Sequence, residues 1–516
     1  MHRLPQSSVR SVLGGLLVSR SSHRSTGSRS DDLVLRELGY KQQLARRMTA
    51  FGNAGASFTV ISILSGCMTM FGFGMATGGP AVMMWGWVAV GAMVLFVGAG
   101  LAEVTSAYPT SGALYFMAHK LGGRRWGWYT GWLNLLGLVG AIAGIDYGCA
   151  QFISAFLNLQ FDVAVSPGTT FVIFFAVLLL HAVLNVQGVR LVSVLNVVSV
   201  WWHLAGVALI VAALTLVPSH HQSASFVFTR FVNDTGFGST WYVALIGLLL
   251  AQYTFSGYDA SAHLSEETTN AQIAAPKGIM RAIVWSWGAG FVLLAGLTFA
   301  IQDYTAAQHA DVPPAQIFHD ALGPEAAKAL LLIVIAAQLF CGTAGTAAAS
   351  RMVFAFSRDR ALPGWQLWQR VSEGTPKAAV WLSVGAAAVL VLPSLYSATA
   401  YGAVTAINVI GITPAYALPI FLRIRYRRRF TPGPWGLGLW GVPVGTVAVA
   451  WVVFVTVLFC LPQHYPVTVS TFNYAPVALI AVLAAATVWW WRAKHSYAAP
   501  AGPADRDLAD LEGEVI

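Results

Sequence analysis

Apolar runs of about twenty residues recur along the whole chain, each long enough to cross about 30 Å of hydrocarbon as a helix. Nothing else in the sequence narrows the fold as much. A backbone in lipid has no water to bond to, so each crossing segment must satisfy its own amides, and runs of this length do so as helices. Charge agrees: Asp, Glu, Lys and Arg make up 10% of the 516 residues, against roughly 25% in soluble chains. The chain reads as an all-α polytopic membrane protein.

Twelve spans are expected, at 55–77, 82–106, 128–155, 168–186, 191–217, 240–264, 281–301, 329–354, 379–397, 401–422, 439–461 and 474–491. In that arrangement Arg3 to Arg47, Lys120, Arg124, Arg125, Arg190, Lys277, Arg281, Arg351, Arg358, Arg360, Arg370, Lys377, Arg423 to Arg429, Arg492, Lys494 and Arg506 share one side. Arg230 and Lys328 fall on the other. Lys and Arg are retained in the cytoplasm, so both termini are expected there, with the protein integral to a plasma or inner membrane. The net charge of +9 gives no reason to expect nucleic acid, because basic residues recur in short loops between spans.

The expected parts are a cytoplasmic tail over 1–50, a ten-helix core over 51–422, two accessory helices over 423–495 and a cytoplasmic tail over 496–516. The first 30 residues are rich in Arg and Ser, as transit peptides are, but read better as a tail or an over-extended start. An amphipathic stretch begins at Asp31. Cys67, Cys149, Cys341 and Cys460 show no paired spacing and read as small apolar side chains.

Two spans are interrupted. The first holds Ser65-Gly66 near its middle, followed by Gly72 and Gly74, and the sixth holds Phe255-Ser256-Gly257. A glycine alone could serve close helix packing. Breaks that open both halves of a five-plus-five arrangement instead point to a transporter's binding site. A half-helix starting near Thr69 presents N–H groups that suit a carboxylate, and one ending near Thr254 presents carbonyls that suit an ammonium. An amino acid has both ends.

The pieces S-I-L-S-G-C-M-T-M-F-G-F-G-M-A-T-G-G-P, A-E-V-T-S-A-Y-P-T-S-G-A-L-Y-F (Ala102 to Phe116), V-S-V-W-W-H-L-A-G-V, F-S-G-Y-D-A-S-A-H-L-S-E-E-T and A-S-R-M-V-F-A-F-S-R-D-R-A-L-P (Ala349 to Pro363) occur in that order. With them the chain resembles the amino acid–polyamine–organocation permeases. Within these it is similar to the amino acid and choline transporter family, which includes GABA permeases and the plant bidirectional amino acid transporter. The resemblance implies ten core helices in two inverted repeats, with helices one and six broken, plus two accessory helices, working by alternating access. It implies that substrate is held by Ser65, Gly66, Cys67, Met68 and Thr69 and by Thr254, Phe255, Ser256, Gly257 and Tyr258. It also implies that His203 stands where related permeases carry a lysine.

Ionisable groups inside a bilayer are costly and mark function by default. His203 could carry a coupling proton or rest neutral on a backbone carbonyl. Asp259, four residues before His263, is a coupling or gating candidate that could contact substrate or a proton, but reads better as a cap on the half-helix that follows the sixth-span break. Asp146 could pair with a cationic substrate or with His203, or simply bond between helices. Glu103 is expected to brace the loop over Tyr108 to Leu121, and Glu266 and Glu267 could pair with loop arginines in a gate. Gln338, Thr343 and Asn408 could line the path but read better as inter-helix bonds.

No nucleotide loop, metal cluster or nucleophile elbow is present, so an enzyme is not expected and no cofactor is called for, while proton coupling stays open. The expectation is a secondary transporter for amino acids or related amines, GABA-like or cationic. A choline or polyamine permease, or a sensor built on the permease fold, is the alternative. The partners expected are a small amino acid or amine and the lipid bilayer.

Overall fold

The computed structural model describes residues 30–395 and 399–497, except for the side chains of 399 and 400. Expectations for the first 29 and last 19 residues lie outside these. Among the described residues, eleven helices are long and apolar enough to span a membrane. The expected sixth span is not one of them, because its apolar helical run, Thr240–Thr254, is too short.

A short helix α1 (30–37) leads through an irregular strap to α2 (Ala50–Ile61), α3 (Ile63–Thr69) and α4 (Phe71–Ala76), which together form the first span. Next come α5 (Gly79–Ala107), the short α6 (Ala113–Gly122), and the long α7 (Arg124–Phe161), α8 (Pro167–Val186) and α9 (Val189–Leu216). After α10 (Ala224–Thr229), the sixth segment runs as α11 (Thr240–Ile246), α12 (Leu249–Thr254) and α13 (Ala260–His263). Then follow α14 (Ala271–Phe299), α15 (Tyr304–His309), α16 (Pro313–Leu322), α17 (Pro324–Arg358), α18 (Trp365–Trp368), α19 (Lys377–Val391), α20 (Thr399–Arg425), α21 (Gly441–Cys460) and α22 (Ala475–Ala493).

Two boundaries depart from expectation. α14 starts at Ala271, ten residues before the expected 281, so Lys277 and Arg281 lie inside a helix rather than a loop. Its start is capped from outside, by Asp31 accepting from the amides of Asn270 (2.7 Å) and Ala271 (3.2 Å). The first span breaks at Ser62, three residues before Ser65, where φ is 34° and ψ 85°. A left-handed residue with a side chain is uncommon and needs support; Ser62 has it from a buried histidine described below.

Small residues set how closely the bundle packs. A Cβ on Gly137 would lie 2.5 Å from the Ile412 amide, and one on Gly411 2.7 Å from the Gly137 amide, so α7 and α20 meet backbone to backbone. Such contact replaces the hydrophobic drive that lipid does not supply. α17 also packs against α7, and the interrupted segments touch this group through α3, on α7 and α17, and α12, on α20.

The strap and the last described residues lie at one end of the bundle, here the terminal face. Tyr40 bonds to Asp359 just past α17, and Arg124 at the start of α7 bonds to the Tyr497 carbonyl.

Candidate functional site

The two interrupted segments are stitched together below their breaks. Asn53 Nδ2 donates to the Ser261 carbonyl (2.9 Å), Ser57 Oγ to the Tyr258 carbonyl (2.6 Å), and the Ser261 amide to Ser57 Oγ (2.8 Å). Above the break the contact is tighter still. A Cβ on Gly66 would fall 2.6–2.8 Å from three atoms of Thr254. Gly257 is left-handed at φ 94°, and a Cβ there would lie 2.2 Å from Val60. Each glycine is therefore required by a close approach as well as by helix breaking.

At this crossing lies a cavity of about 10 Å³, the room of one water molecule. Of the expected residues, Ser65, Gly66, Thr254 and Ser256 line it. Val60, Ile61, Ala141, Ile145, Tyr253, Cys341 and Asn408 complete the lining, and none of these side chains carries a charge at neutral pH. Cys67 and Met68 are buried in the packing, Phe255 lies against Trp87 with ring centres 4.4 Å apart, and Tyr258 stacks on Tyr416 at 4.6 Å. Asn408 was legible as a polar membrane residue, and it has two roles. It donates to the Gly137 carbonyl (2.8 Å) and its oxygen stands 2.9 Å from Ser256 Oγ at the cavity. The carbonyl of Tyr253, near the end of α12, already accepts from the Ser256 amide at 3.0 Å.

Asp259 does not cap the following half-helix as expected. The hydroxyl of Tyr416 instead accepts from the Gly257 amide (3.1 Å) and donates to Asp259 Oδ1 (2.8 Å). Asp259 thus supports the break through a tyrosine. His263 Nε2 stands 3.2 Å from Asp259 Oδ2, and the ring also meets Asn134 Nδ2 and the Ser111 carbonyl, each at 3.1 Å.

His203 and Asp146 are not partners. His203 Nδ1 faces the Ser199 carbonyl at 2.8 Å, so it carries the ring proton, and Nε2 accepts from Ser62 Oγ at 2.7 Å. Ser62 Oγ in turn accepts from the Ser65 amide at 3.2 Å. A neutral imidazole is fully satisfied this way, and it holds the left-handed turn of the first span. Asp146 pairs with His181 of α8, Oδ2 to Nδ1 at 3.0 Å, with both side chains fully buried. His181 was missed because an imidazole in an apolar run gives no sequence signal of its partner.

On the side away from the termini, a vestibule of about 370 Å³ is lined by Tyr147, Gln151, Ser166, Thr170, Asp311 and Tyr401 among others. The Tyr147 and Tyr401 rings lie 5.3 Å apart, and Tyr401 donates to the Gly144 carbonyl at 3.2 Å. A Cβ on Gly148 would meet Thr69 at 2.5 Å and the Tyr401 hydroxyl at 2.9 Å. This one layer of Thr69 and tyrosines stands between vestibule and cavity.

The terminal face is closed more thickly. Glu266 takes Arg358 (2.9 and 3.1 Å) and the amide and hydroxyl of Ser111 (2.9 and 2.8 Å). Burial works against its charge, but Arg358 and Ser111 outweigh burial and hold its pKa below the usual carboxylate value. Glu267 pairs with Arg351 at 2.9 Å, yet burial still leaves its pKa raised. Both arginines belong to the α17 helix rather than to a loop. The strap covers these pairs. Gln42 donates to the Glu266 carbonyl (2.9 Å), the Met48 amide to the Glu267 carbonyl (2.8 Å), and the Arg358 guanidinium lies 3.7 Å over the Tyr40 ring. Asp359 accepts from Tyr40 (2.8 and 2.9 Å) and Tyr115 (3.1 Å), and burial pushes its pKa up to about 7. Glu103 does not brace the 108–121 loop. It pairs with Arg423 at 2.7 Å and accepts from the Leu437 amide, holding the connection between α20 and α21.

Among the described residues no group of three or more His, Cys, Asp or Glu is placed to hold a metal ion. The amino acid permease family model matches residues 51–484. The chain is 39% identical to an amino-acid permease BAT1 homolog of Oryza sativa subsp. japonica, over 90% of this chain and 94% of that one. It is 38% identical to amino-acid permease BAT1 of Arabidopsis thaliana, over 91% and 96%. It is 28% identical to a GABA-specific permease of Saccharomyces cerevisiae, over 94% and 89%.

Proposed function

This chain belongs to the amino acid permease family, a family of transporters rather than enzymes, and on that premise we propose that it moves a small zwitterionic amino acid, such as GABA or alanine, by alternating access. The observation that carries the reading is the cavity where the two interrupted segments cross. Its polar lining is Ser65, Thr254, Ser256, Tyr253 and Asn408, without a charged side chain. Backbone dipoles at helix breaks can hold a carboxylate and an ammonium. A cationic amino acid or a polyamine brings further positive charge, for which this lining supplies no carboxylate, since Asp146 is paired with His181 outside it. Room for one water means that the segments must part to admit substrate.

Twelve spans follow if the interrupted run Thr240–His263 is counted with the eleven that are long enough to cross, the first of which is itself broken at Ser62. Packing favours a five-plus-five repeat: α5 lies on α14, α7 on α17 and α8 on α19, each span against the one five places later. The short α6 follows the second span at the terminal face, and α15 with α16 follows the seventh at the other. That swap is what an inverted repeat produces. The Lys and Arg bias makes the terminal face cytoplasmic, and the thin layer at Tyr147 and Tyr401 then closes the outside.

The test is reconstitution into liposomes with labelled GABA, alanine, glutamate, lysine, arginine, choline and putrescine, with and without proton and sodium gradients. Exchange of GABA or alanine supports the proposal. Exchange confined to lysine, arginine, choline or putrescine would overturn the zwitterion reading, and none at all would favour a sensor.

A further inference from the structure

The buried Asp146–His181 pair does nothing for the cavity as described so far. It fills no lining position, and its burial is expensive. Removing two charges from water costs several kcal/mol for each ion unless their partners are complete. Here they are incomplete: Asp146 Oδ1 and His181 Nε2 have no hydrogen-bond partner among the described residues. The chain makes room for the pair with Gly342, where a Cβ would lie 2.2 Å from His181 and 2.4 Å from Asp146. One turn along the same face of α17, Gln338 is also buried with both amide atoms unpartnered.

Relying on the transporter reading above, we propose that Asp146 and His181 form the proton-binding site that couples this permease to a proton gradient. His181 Nδ1–H donates to Asp146 Oδ2, which leaves Nε2 as the open acceptor. Hydronium transfers one proton to Nε2 and leaves water. A pair of charge −1, carboxylate and neutral imidazole, becomes a neutral pair of carboxylate and imidazolium. Only the neutral form suits a dry bundle, so closing the bundle carries the proton with it, and opening to water on the other side releases it.

The position suits coupling. Ile145 and Cys341, the chain neighbours of Asp146 and Gly342, both line the substrate cavity, so the charge changes one residue layer away. Gln151, at the vestibule, is five residues beyond Asp146 on α7, or about 8 Å of helix.

No described lysine or arginine pairs with the site. The titratable groups that sense Asp146 are Cys149 on α7, Cys341 on α17 and Tyr253 on α12. Tyr401 on α20 faces Tyr253, α19 carries only Lys377 at its terminal end, and α3 carries only Cys67. His203 of α9 is satisfied by Ser62 and Ser199.

Two measurements decide it. In lipid nanodiscs, acid titration between pH 9 and 5 should show the wild type binding one more proton than the double variant Asp146→Asn/His181→Gln. Equal uptake overturns the site. In proteoliposomes, that variant should keep gradient-free exchange of labelled GABA or alanine within about threefold while losing at least about tenfold of accumulation driven by a pH gradient. Accumulation at wild-type level overturns the coupling role. Should the double variant not fold, Gly342→Ala keeps both groups but forces them apart. It should move the midpoint of the same proton uptake, and an unmoved midpoint counts against the pair. If no labelled amino acid is exchanged by the wild type, the transporter reading fails, and with it the coupling role; the titration still decides whether the pair binds a proton.

Discussion

Gly66 and Thr254 meet so closely that a Cβ built on the glycine would lie 2.6 Å from the threonine hydroxyl oxygen. Even alanine must push α3 and α12 apart at the cavity. Overpacking of this kind costs about 1–3 kcal/mol. Gly66→Ala is therefore expected to lower uptake by about tenfold or more with membrane yield unchanged, as read by vesicle uptake beside quantitative blotting. Uptake at the wild-type rate would show that the two segments do not meet in the working cycle.

Tyr416 joins the sixth-segment break to Asp259. Tyr416→Phe leaves the Gly257 amide without its acceptor and Asp259 without its donor. Leaving such groups unsatisfied costs about 1–3 kcal/mol. A lowered midpoint in thermal unfolding of the detergent-solubilised protein is the expected result.

Arg358 holds Glu266 and lies over Tyr40. Breaking a buried ion pair from one side costs about 3–5 kcal/mol, and here the closed terminal face bears that cost. Arg358→Ala should raise hydrogen exchange at residues 40–48 and 264–268, because the strap and the end of the sixth segment lose their common partner.

Closure should also respond to pH through Asp359. Its pKa of about 7 in the closed arrangement lies above the usual carboxylate value near ~3.9. Between these values the closed face binds more protons than an open, hydrated one. Its stabilisation is therefore complete below the lower value and is lost as pH rises through about 7. Labelling of a cysteine placed at position 43 should slow as pH falls from 8 to 6, and Asp359→Asn should remove the dependence.

His203→Ala should cut uptake by about fivefold, the worth of about 1 kcal/mol, through the loss of support for Ser62. The shape of the pH profile should stay as in wild type. A flattened profile would return this histidine to the coupling role that its place in the sequence first suggested.

Length and apolarity made the unbroken spans readable, since lipid tolerates few other solutions. The interruptions were readable because glycine in a span is conspicuous, but the first was placed at Ser65-Gly66 and not at Ser62. A left-handed serine leaves no mark in sequence; its support is His203, 141 residues away. Asp146 was singled out as an intramembrane acid, but its partner His181, 35 residues away, was not, because only the packing of α7 on α8 makes them a pair. Tyr416 and Asp359 escaped notice because an aromatic in a span and an acid at a helix end are ordinary until their partners are known.

The strap has a consequence for how the protein is made. Asp31 and Tyr40 leave the ribosome before any span, but Asp31 waits 239 residues for the amide it caps and Tyr40 waits 319 for its carboxylate. Until α17 has been synthesised and inserted, the mouth has no Arg358 or Asp359 to shut against. A nascent chain halted short of Arg351 would expose Glu266 and Glu267 without their cations. Sealing of the bundle is thus a late event in biogenesis, performed by the earliest residues in the described chain, and a quality-control factor sampling that end would find it open until more than two-thirds of the polypeptide exists.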